Sequence, residues 1–416
     1  MYARAVRARP PQTPRNLSRL PAYATGDLAD DAADHDRVLD RAADGLRRRR
    51  YRVTRYGRSV AAERGYLREA GNLVFHVSLL FLLVGVGFGT LFGFRGTSVV
   101  IVGQGFSNNL TQYDDFSSGA RFTDADLVPF SATVDRFDVR FETGDVQRGA
   151  ARQFRAELTV TDRPGATPHQ EVLEVNKPLT IGGTSVHLIG HGYAAKVTVK
   201  DGAGNVAFSG PVIFLPQDGN FTSAGAIKAP DARPERLGFQ GFFLPTAVLD
   251  EEGPRSVFPD AINPALFINA WSGPPKTETG RPENVYSLDT TGMTPLKDED
   301  GETFRRGLQV GDGVELPDGK GSIQLDGWVR WVKLQVSDTP GITVSLGAIG
   351  FAVTGLCLSL FIRPRRVWVR LRTGEDGHTL VEVGGLDRAD ARVGLSEDVA
   401  ELAGEVSGPK EKVGVE

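Results

Sequence analysis

Two stretches of the chain carry no formal charge. Leu73–Phe94 reads LVFHVSLLFLLVGVGFGTLFGF over 22 residues, and Ile342–Ile362 reads ITVSLGAIGFAVTGLCLSLFI over 21. A helix crosses the hydrocarbon core of a bilayer with about 20 apolar residues, so each run predicts a membrane-spanning helix. Between them the pattern changes to short runs in which apolar residues alternate. SVVIVGQG, FSATVDRFDVRFE, FRAELTVTDRPG, VAFSGPVIFL and SIQLDGWVRWVKLQV read as strands, with DRPGA (162–166), DGAGN (201–205) and PDGKG (317–321) as turns. No long stretch with helical period lies between the spans. The expected fold class is therefore a membrane protein in which two transmembrane α-helices flank a large extracytoplasmic all-β domain, sandwich-like or barrel-like. Five segments follow: 1–71, a basic and partly disordered start with a short helix over Val38–Tyr56; 72–94, a span; 95–341, the β-rich domain; 342–362, the second span; and 363–416, a basic flank with a disordered acidic tail.

Charge orients this arrangement. Residues 1–70 hold 16 Arg, no Lys and 9 acids, and residues 363–372 hold five Arg and no acid. The stretch 95–362 carries 23 basic and 32 acidic residues. Lys and Arg mark the cytoplasmic ends of spans. Both termini are thus expected in the cytoplasm, the β domain outside, and the protein in the cell membrane as a multi-pass chain. A net charge of -4 over 416 residues gives no basic excess for nucleic acid. The single cysteine, Cys357, excludes an internal disulfide, a CxxC redox pair and a CxxCH haem attachment site. Within the second span it reads as a small apolar filler. GxSxG, HExxH and P-loop signatures are all missing, so the sequence makes no positive case for an enzyme.

Inside the spans, polar and small residues carry the information. Gly85, Gly89 and Gly93 recur every four residues, and the second span has Gly347, Gly350, Thr354 and Gly355. Small residues at this spacing let another helix approach closely; glycine is also simply common in membrane helices. His76 lies four residues into the first run, about 6 Å at the helical rise. Ionisable groups within a span face a partner or a cavity, and neutral imidazole ligates metals and haem iron. The competing reading is an interfacial histidine that reaches to headgroups. His187 and His191 fall in VHLIGHGYA, on a strand and the turn that ends it. One of them is a candidate haem ligand at the outer surface; the alternative is a hydrogen-bonded or surface histidine.

In order, these motifs resemble the ResB family of system II cytochrome c biogenesis, in its actinobacterial form. GNLVFHVSLLFLLVGVGFG (71–89) is similar to the family's histidine-bearing span. VNKPLTIGGTSVHLIGHGYA (175–194) is similar to its Asn-x-Pro-Leu strand and Gly-Tyr turn. FPDAINPALFINAWSG (258–273), NVYSLDTTGM (284–293), GWVRWVKLQVSDTPG (327–341) and RPRRVWVRL (363–371) complete the likeness over most of 55–372. The resemblance implies an assembly factor that moves haem b, held transiently and without covalent attachment, outward to apocytochrome c. It implies a polytopic ResC/CcsA-type partner, a thiol-reducing thioredoxin-like protein, and an in-membrane haem held by one histidine from each partner, here His76. On the same resemblance His191 is carried over as an outer contact, and Arg64 and Arg68 as a basic collar for haem propionates or a topology signal. Family members have two further spans upstream, so the chain resembles a copy shortened at its N-terminus. The alternative function is a membrane-anchored β scaffold of the envelope that handles no haem.

Overall fold

The computed structural model describes residues 9–28, 34–251, 253–275, 284–373, 378–387 and 394–407. Two compact units result, one from 1–88 with 341–416, the other from 89–340.

The first unit contains four α-helices: α1 (His35–Arg48), α2 (Leu67–Phe92), α3 (Ile342–Phe361) and α4 (Leu395–Ser407). Both α2 and α3 are long and apolar enough to cross a membrane. The first starts six residues before its uncharged run, because Arg68 and Glu69 form its opening turn. The two helices meet along a seam of small residues. Gly71, Ser78 and Gly85 of α2 are buried at seven-residue intervals, and Ser345, Ala348, Ala352 and Gly355 of α3 at alternating intervals of three and four. A Cβ on Gly355 would lie 2.6 Å from the backbone nitrogen of Phe75. Backbones that approach this closely leave no room for larger side chains, and dispersion contacts hold the pair together. Part of the expected glycine stripe is thus used inside the chain. Gly89 faces Pro340 and Gly93 faces Asp338, in the connection leading to α3. A Cβ at Gly347 or Gly350 would meet no described atom within 4 Å, and Cys357 lies exposed on α3.

The described residues of both chain ends form regular elements where disorder was expected, while 29–33, 374–377, 388–393 and 408–416 lie outside the described residues. Five antiparallel strands form a sheet in the order Ala22–Asp27, Thr379–Asp387, Arg365–Thr373, Ser59–Arg64, Arg52–Tyr56. On one face α1 and α4 bury Leu39, Leu46, Val399 and Leu402 against Val60, Val369 and Val383. On the other, Leu17 covers Ala61 and Trp368. The Trp368 indole N–H donates to the Pro11 carbonyl at 3.0 Å, and the Tyr56 hydroxyl to that of Pro10 at 2.7 Å. The short helix expected over Val38–Tyr56 ends at Arg48, and its remainder is the strand Arg52–Tyr56. Composition concealed these elements because part of their packing comes from the opposite end of the chain: Ala22–Asp27 pairs with Thr379–Asp387, and Ser59–Arg64 with Arg365–Thr373. Strand Ser59–Arg64 leads into α2 and α3 leads into Arg365–Thr373; the two strands pair with Arg64 opposite Arg365, so one sheet joins the ends of both spans.

The second unit is all strand apart from three-residue helical turns. A twelve-stranded sheet is built around two 18-residue strands, Thr184–Asp201 and Gly321–Asp338, paired antiparallel; a four-stranded sheet packs beside it. Apolar side chains alternate into two cores, one around Tyr193, Phe214, Phe239 and Phe243, the other around Phe106, Val134, Leu158 and Leu334. The expected strands appear as Phe94–Ile101, Ser131–Phe141, Ala151–Thr161, Val206–Pro216 and Gly321–Asp338. The turn expected after His187 is absent: Thr184–Asp201 runs on through Gly190 and Gly192, with a register shift between Leu188 and Gly190. Glycine at 192 marks close approach rather than a turn, since a Cβ there would overlap the Trp331 indole.

Candidate functional site

His76 is exposed on α2. At 100° per residue it lies about 140° round the helix from Gly71, on the side away from the α3 seam. Its neighbours on that side, Leu80 and Leu83, are among the most exposed residues of the helix, at 63% and 70%. The ring sits edge-on to Phe75, with centroids 5.3 Å apart. Nδ1 lies 2.8 Å from the Asn72 carbonyl oxygen, one turn earlier. A carbonyl oxygen only accepts, so Nδ1 carries the proton and donates. In the neutral ring the lone pair then resides on Nε2. A backbone carbonyl bonded to one imidazole nitrogen is how metal-binding histidines are held for ligation through the other. Among the described residues no group of three or more His, Cys, Asp or Glu could hold a metal ion. What the geometry leaves is one imidazole nitrogen, Nε2, without a bond to the Asn72 carbonyl, beside an apolar helix face.

Near the start of α2, Arg64 lies over the Tyr51 ring at 4.9 Å and Arg52 over Tyr66 at 4.7 Å. Glu63 accepts from Arg52 and from Arg366. Arg68, in the first turn, has no carboxylate partner among the described residues.

His191 is placed differently. It is 9% exposed, within the second unit, among four phenylalanine rings. Phe221 stacks on it at 4.6 Å and 24°; Phe154, Phe137 and Phe141 lie at 4.9, 5.4 and 6.2 Å. Its Nδ1 is buried without a hydrogen-bond partner among the described residues. Burial, and then the nearby Arg330 guanidinium, push its pKa down to about 3. The imidazole is accordingly neutral throughout the physiological range. Phe221 has a φ of 62°, a left-handed conformation that is costly for a bulky side chain. The preceding loop holds it there: the Asp218 carboxylate accepts from the backbone N–H groups of Asn220 and Thr222. His187 is not brought to this place. It pairs opposite Gln335 and His191 opposite Val332, an odd offset that turns the two histidines to opposite faces of the sheet.

Next to the cage, three segments singled out in the sequence converge. The Tyr193 hydroxyl donates to the Pro259 carbonyl at 2.7 Å and accepts from Arg330 at 3.0 Å. Arg330 also pairs with Asp260 at 2.6 Å and lies over the rings of Tyr193 and Trp328. Burial pushes the Tyr193 phenol up to about 12. The Trp331 indole N–H donates to the Tyr193 carbonyl at 2.9 Å. GHGYA, FPDAIN and GWVRWV are thus one packed unit. Sequence reasoning had no signal for Asn72, since the acceptor is its backbone carbonyl, which any residue one turn before His76 would supply. It missed Phe137, Phe154 and Phe221. The first two sit in alternating strands, but nothing local marks Phe221 as a cover.

These features define a class: a protein with two membrane-crossing helices, a large β domain between them, and an imidazole on the outward face of the first helix. A sequence profile of the ResB-like family matches residues 1–399, and the chain belongs to that family. It is 30% identical over 280 residues to the cytochrome c biogenesis protein CcsB of Synechococcus sp. (strain WH7803), covering 66% of this chain and 56% of that protein. With the protein of the same name from Picosynechococcus sp. it shares 23% over 325 residues, covering 78% and 57%. With that of Gloeobacter violaceus it shares 21% over 407 residues, covering 95% and 69%. The chain spans a little over half the length of the first two relatives.

Proposed function

We propose that this chain works in cytochrome c biogenesis, as one part of a membrane complex that carries haem outward and presents it to apocytochrome c. On this reading it is an assembly factor rather than an enzyme, with both termini cytoplasmic and residues 95–341 outside. A ResC/CcsA-type polytopic protein covers the outward face of α2 and supplies the second axial histidine; a thioredoxin-like protein keeps the apocytochrome thiols reduced. Haem b is the cargo, bound without a covalent link. The observation that carries the proposal is the state of His76: Nδ1–H held by the Asn72 carbonyl, Nε2 bare, on a helix face left exposed by the described residues of its unit. An exposed imidazole in hydrocarbon is unfavourable until it acquires a partner. His76 stands about 10 Å along the helix from Glu69, which suits a cargo loaded from the cytoplasmic side. Arg64 and Arg68 are the proposed contacts for its propionates. His191 is a second, outer contact, whose buried Nδ1 would have to become accessible before iron could approach it.

The test is an absorption spectrum of the chain co-purified with its polytopic partner through a tag on the chain. A Soret band should be present in wild type and lost in His76→Ala with the partner retained. Added imidazole should restore it in the variant. A retained partner without haem in wild type would support a scaffold and sink the proposal.

A further inference from the structure

The β domain carries a cleft of about 520 Å³ that the haem reading does not use. It lies on the outward face of three neighbouring strands, Arg236–Leu244, Ala265–Gly273 and Arg305–Gln309, near one end of the twelve-stranded sheet. Register organises this face into two rows. Phe242, Phe267 and Gly307 are directly opposite one another, and so are Asn269 with Gln240 and with Arg305. The first row is an apolar floor. Its glycine lets the Phe267 ring lie across the neighbouring strand, because a Cβ at 307 would press on that ring at 2.8 Å. The second row is polar: two carboxamides and a guanidinium. Leu249 and Pro254, from the hairpin Ala247–Asp250/Gly253–Ser256, wall the cleft. Phe242 is 41% exposed and Leu249 is 69% exposed, so apolar surface is left open. Among the described residues the side chains of Gln240, Asn269 and Arg305 have no hydrogen-bond or ion-pair partner, whereas Arg306 is paired with Asp298 at 2.6 Å.

We propose that this cleft is a docking slot for an extended segment of another polypeptide, with an apolar side chain and a carboxylate two residues apart. The rows sit two residues apart along each strand, about 7 Å. An extended peptide repeats the side chains of one face at that same interval. An apolar side chain then packs on the Phe242 and Phe267 rings between Leu249 and Pro254, while an acidic one meets Arg305 through a charge-assisted hydrogen bond. Gln240 and Asn269 each offer a donor and an acceptor. A peptide backbone uses both, whereas the carboxylate of an amphipathic small molecule uses only donors. The cleft lining contains no His, Met, Cys or Tyr, so it presents no axial ligand to a metalloporphyrin. The slot deepens the function proposed above, in which an unfolded polypeptide must be held outside the membrane, and it rests on that reading for its biological use.

The experiment uses the full chain in detergent micelles. Two fluorescein-labelled peptides, Gly-Ser-Phe-Ser-Asp-Ser-Gly and the same sequence with Lys in place of Asp, are titrated by fluorescence anisotropy. Wild type should bind the Asp peptide about ten-fold more tightly. Arg305→Glu, an exposed substitution that disturbs no partner, should reverse the preference. Phe242→Ser should weaken both peptides about five-fold. Equal binding of the two peptides by wild type, or an unchanged preference in Arg305→Glu, would overturn the proposal. So would oleate displacing the peptide, which would assign the cleft to amphipathic carboxylates. The haem band should be the same in Arg305→Glu as in wild type. Peptide preference in a chain that carries no haem would leave the slot standing while the haem-handling function failed.

Discussion

His76 stands on the outward face of a membrane-crossing helix, with one ring nitrogen bonded and the other bare. His191 stands inside a β domain, with four phenylalanine rings around it and a buried nitrogen that bonds nothing. The contrast separates two properties that a sequence reading joins under the word ligand. One is chemical readiness: both histidines are candidates for a neutral ring with a usable lone pair. The other is access. His76 has access, exposed on the side of α2 away from the α3 seam. His191 is enclosed, and an unmet buried polar atom costs about 1–3 kcal/mol. Such a cost is tolerated where surrounding packing is strong or where the atom is used. The two sites therefore fail differently. Removing His76 should change what binds, whereas removing His191 should change how the domain holds together.

The largest expected effect tests that division directly. In the complex with the polytopic partner, His76→Ala should lower haem content about ten-fold or more while the thermal unfolding of the chain stays within about 0.5 kcal/mol of wild type. His191→Ala should do the reverse, keeping most of the band and losing about 2 kcal/mol of stability through the hole left among the rings. If His191→Ala also lost the band, the division between binding and packing would be wrong. Next in size is Arg330→Leu. Arg330 ties Tyr193 and Asp260 beside the cage, and its side chain is 12% exposed. Losing it should destabilise the chain by about 2 kcal/mol and leave haem at His76 unchanged, as read by thermal unfolding and absorption on one sample.

Legibility in the sequence followed the range of the contacts. Both spans could be read because a bilayer asks only for length and absence of charge, properties of a contiguous window. The strands could be read because alternation is local. The terminal sheet could not: Val381 and Val383 lie in a Gly-rich acidic stretch and make sense only against α4 and Val369, while α1 acquires its partner from the far end of the chain. His76 stood out because an ionisable residue in an apolar run is conspicuous, yet the orientation that leaves Nε2 bare depends on the Asn72 carbonyl. His191 was conspicuous too, but its flanking glycines suggested a turn. Gly192 instead serves a strand that must admit the Trp331 indole, and only the opposing strand reveals it. Arg68 follows the first rule and Arg64 the second: one is an interfacial charge of a span, the other is positioned by Tyr51, 13 residues before it.

A smaller effect sharpens the account of His191 through pH. Its folded pKa lies near 3 and the unfolded value near 6.5. Between these values the unfolded chain binds a proton that the folded chain refuses, so stability falls as the pH drops below about 6.5. The expected slope is on the order of 1 kcal/mol per pH unit over pH 6 to 4. His191→Phe removes the titrating group and fills the cage. Its unfolding temperature should fall less steeply than that of wild type over the same window, with the two curves parallel above pH 7. Parallel curves throughout would mean that water reaches the imidazole and that the cage is open in solution.

The smallest expected change in stability is at Phe221. Glycine there relieves a left-handed backbone that costs a bulky residue about 1–2 kcal/mol. It also removes a half-buried ring worth a similar amount. These terms oppose, so Phe221→Gly should unfold within about 1 kcal/mol of wild type. Access should nevertheless change greatly, because the ring stacked on His191 is gone. Diethylpyrocarbonate, which acylates exposed neutral imidazole, should leave His191 of wild type unmodified and modify it in Phe221→Gly, with His76 as the reactive internal reference located by peptide mass analysis. Strong destabilisation without new reactivity would make Phe221 part of the core. Unchanged stability with new reactivity would make it a cover, held by the Asp218 loop over an imidazole whose backbone and remaining walls are already in place.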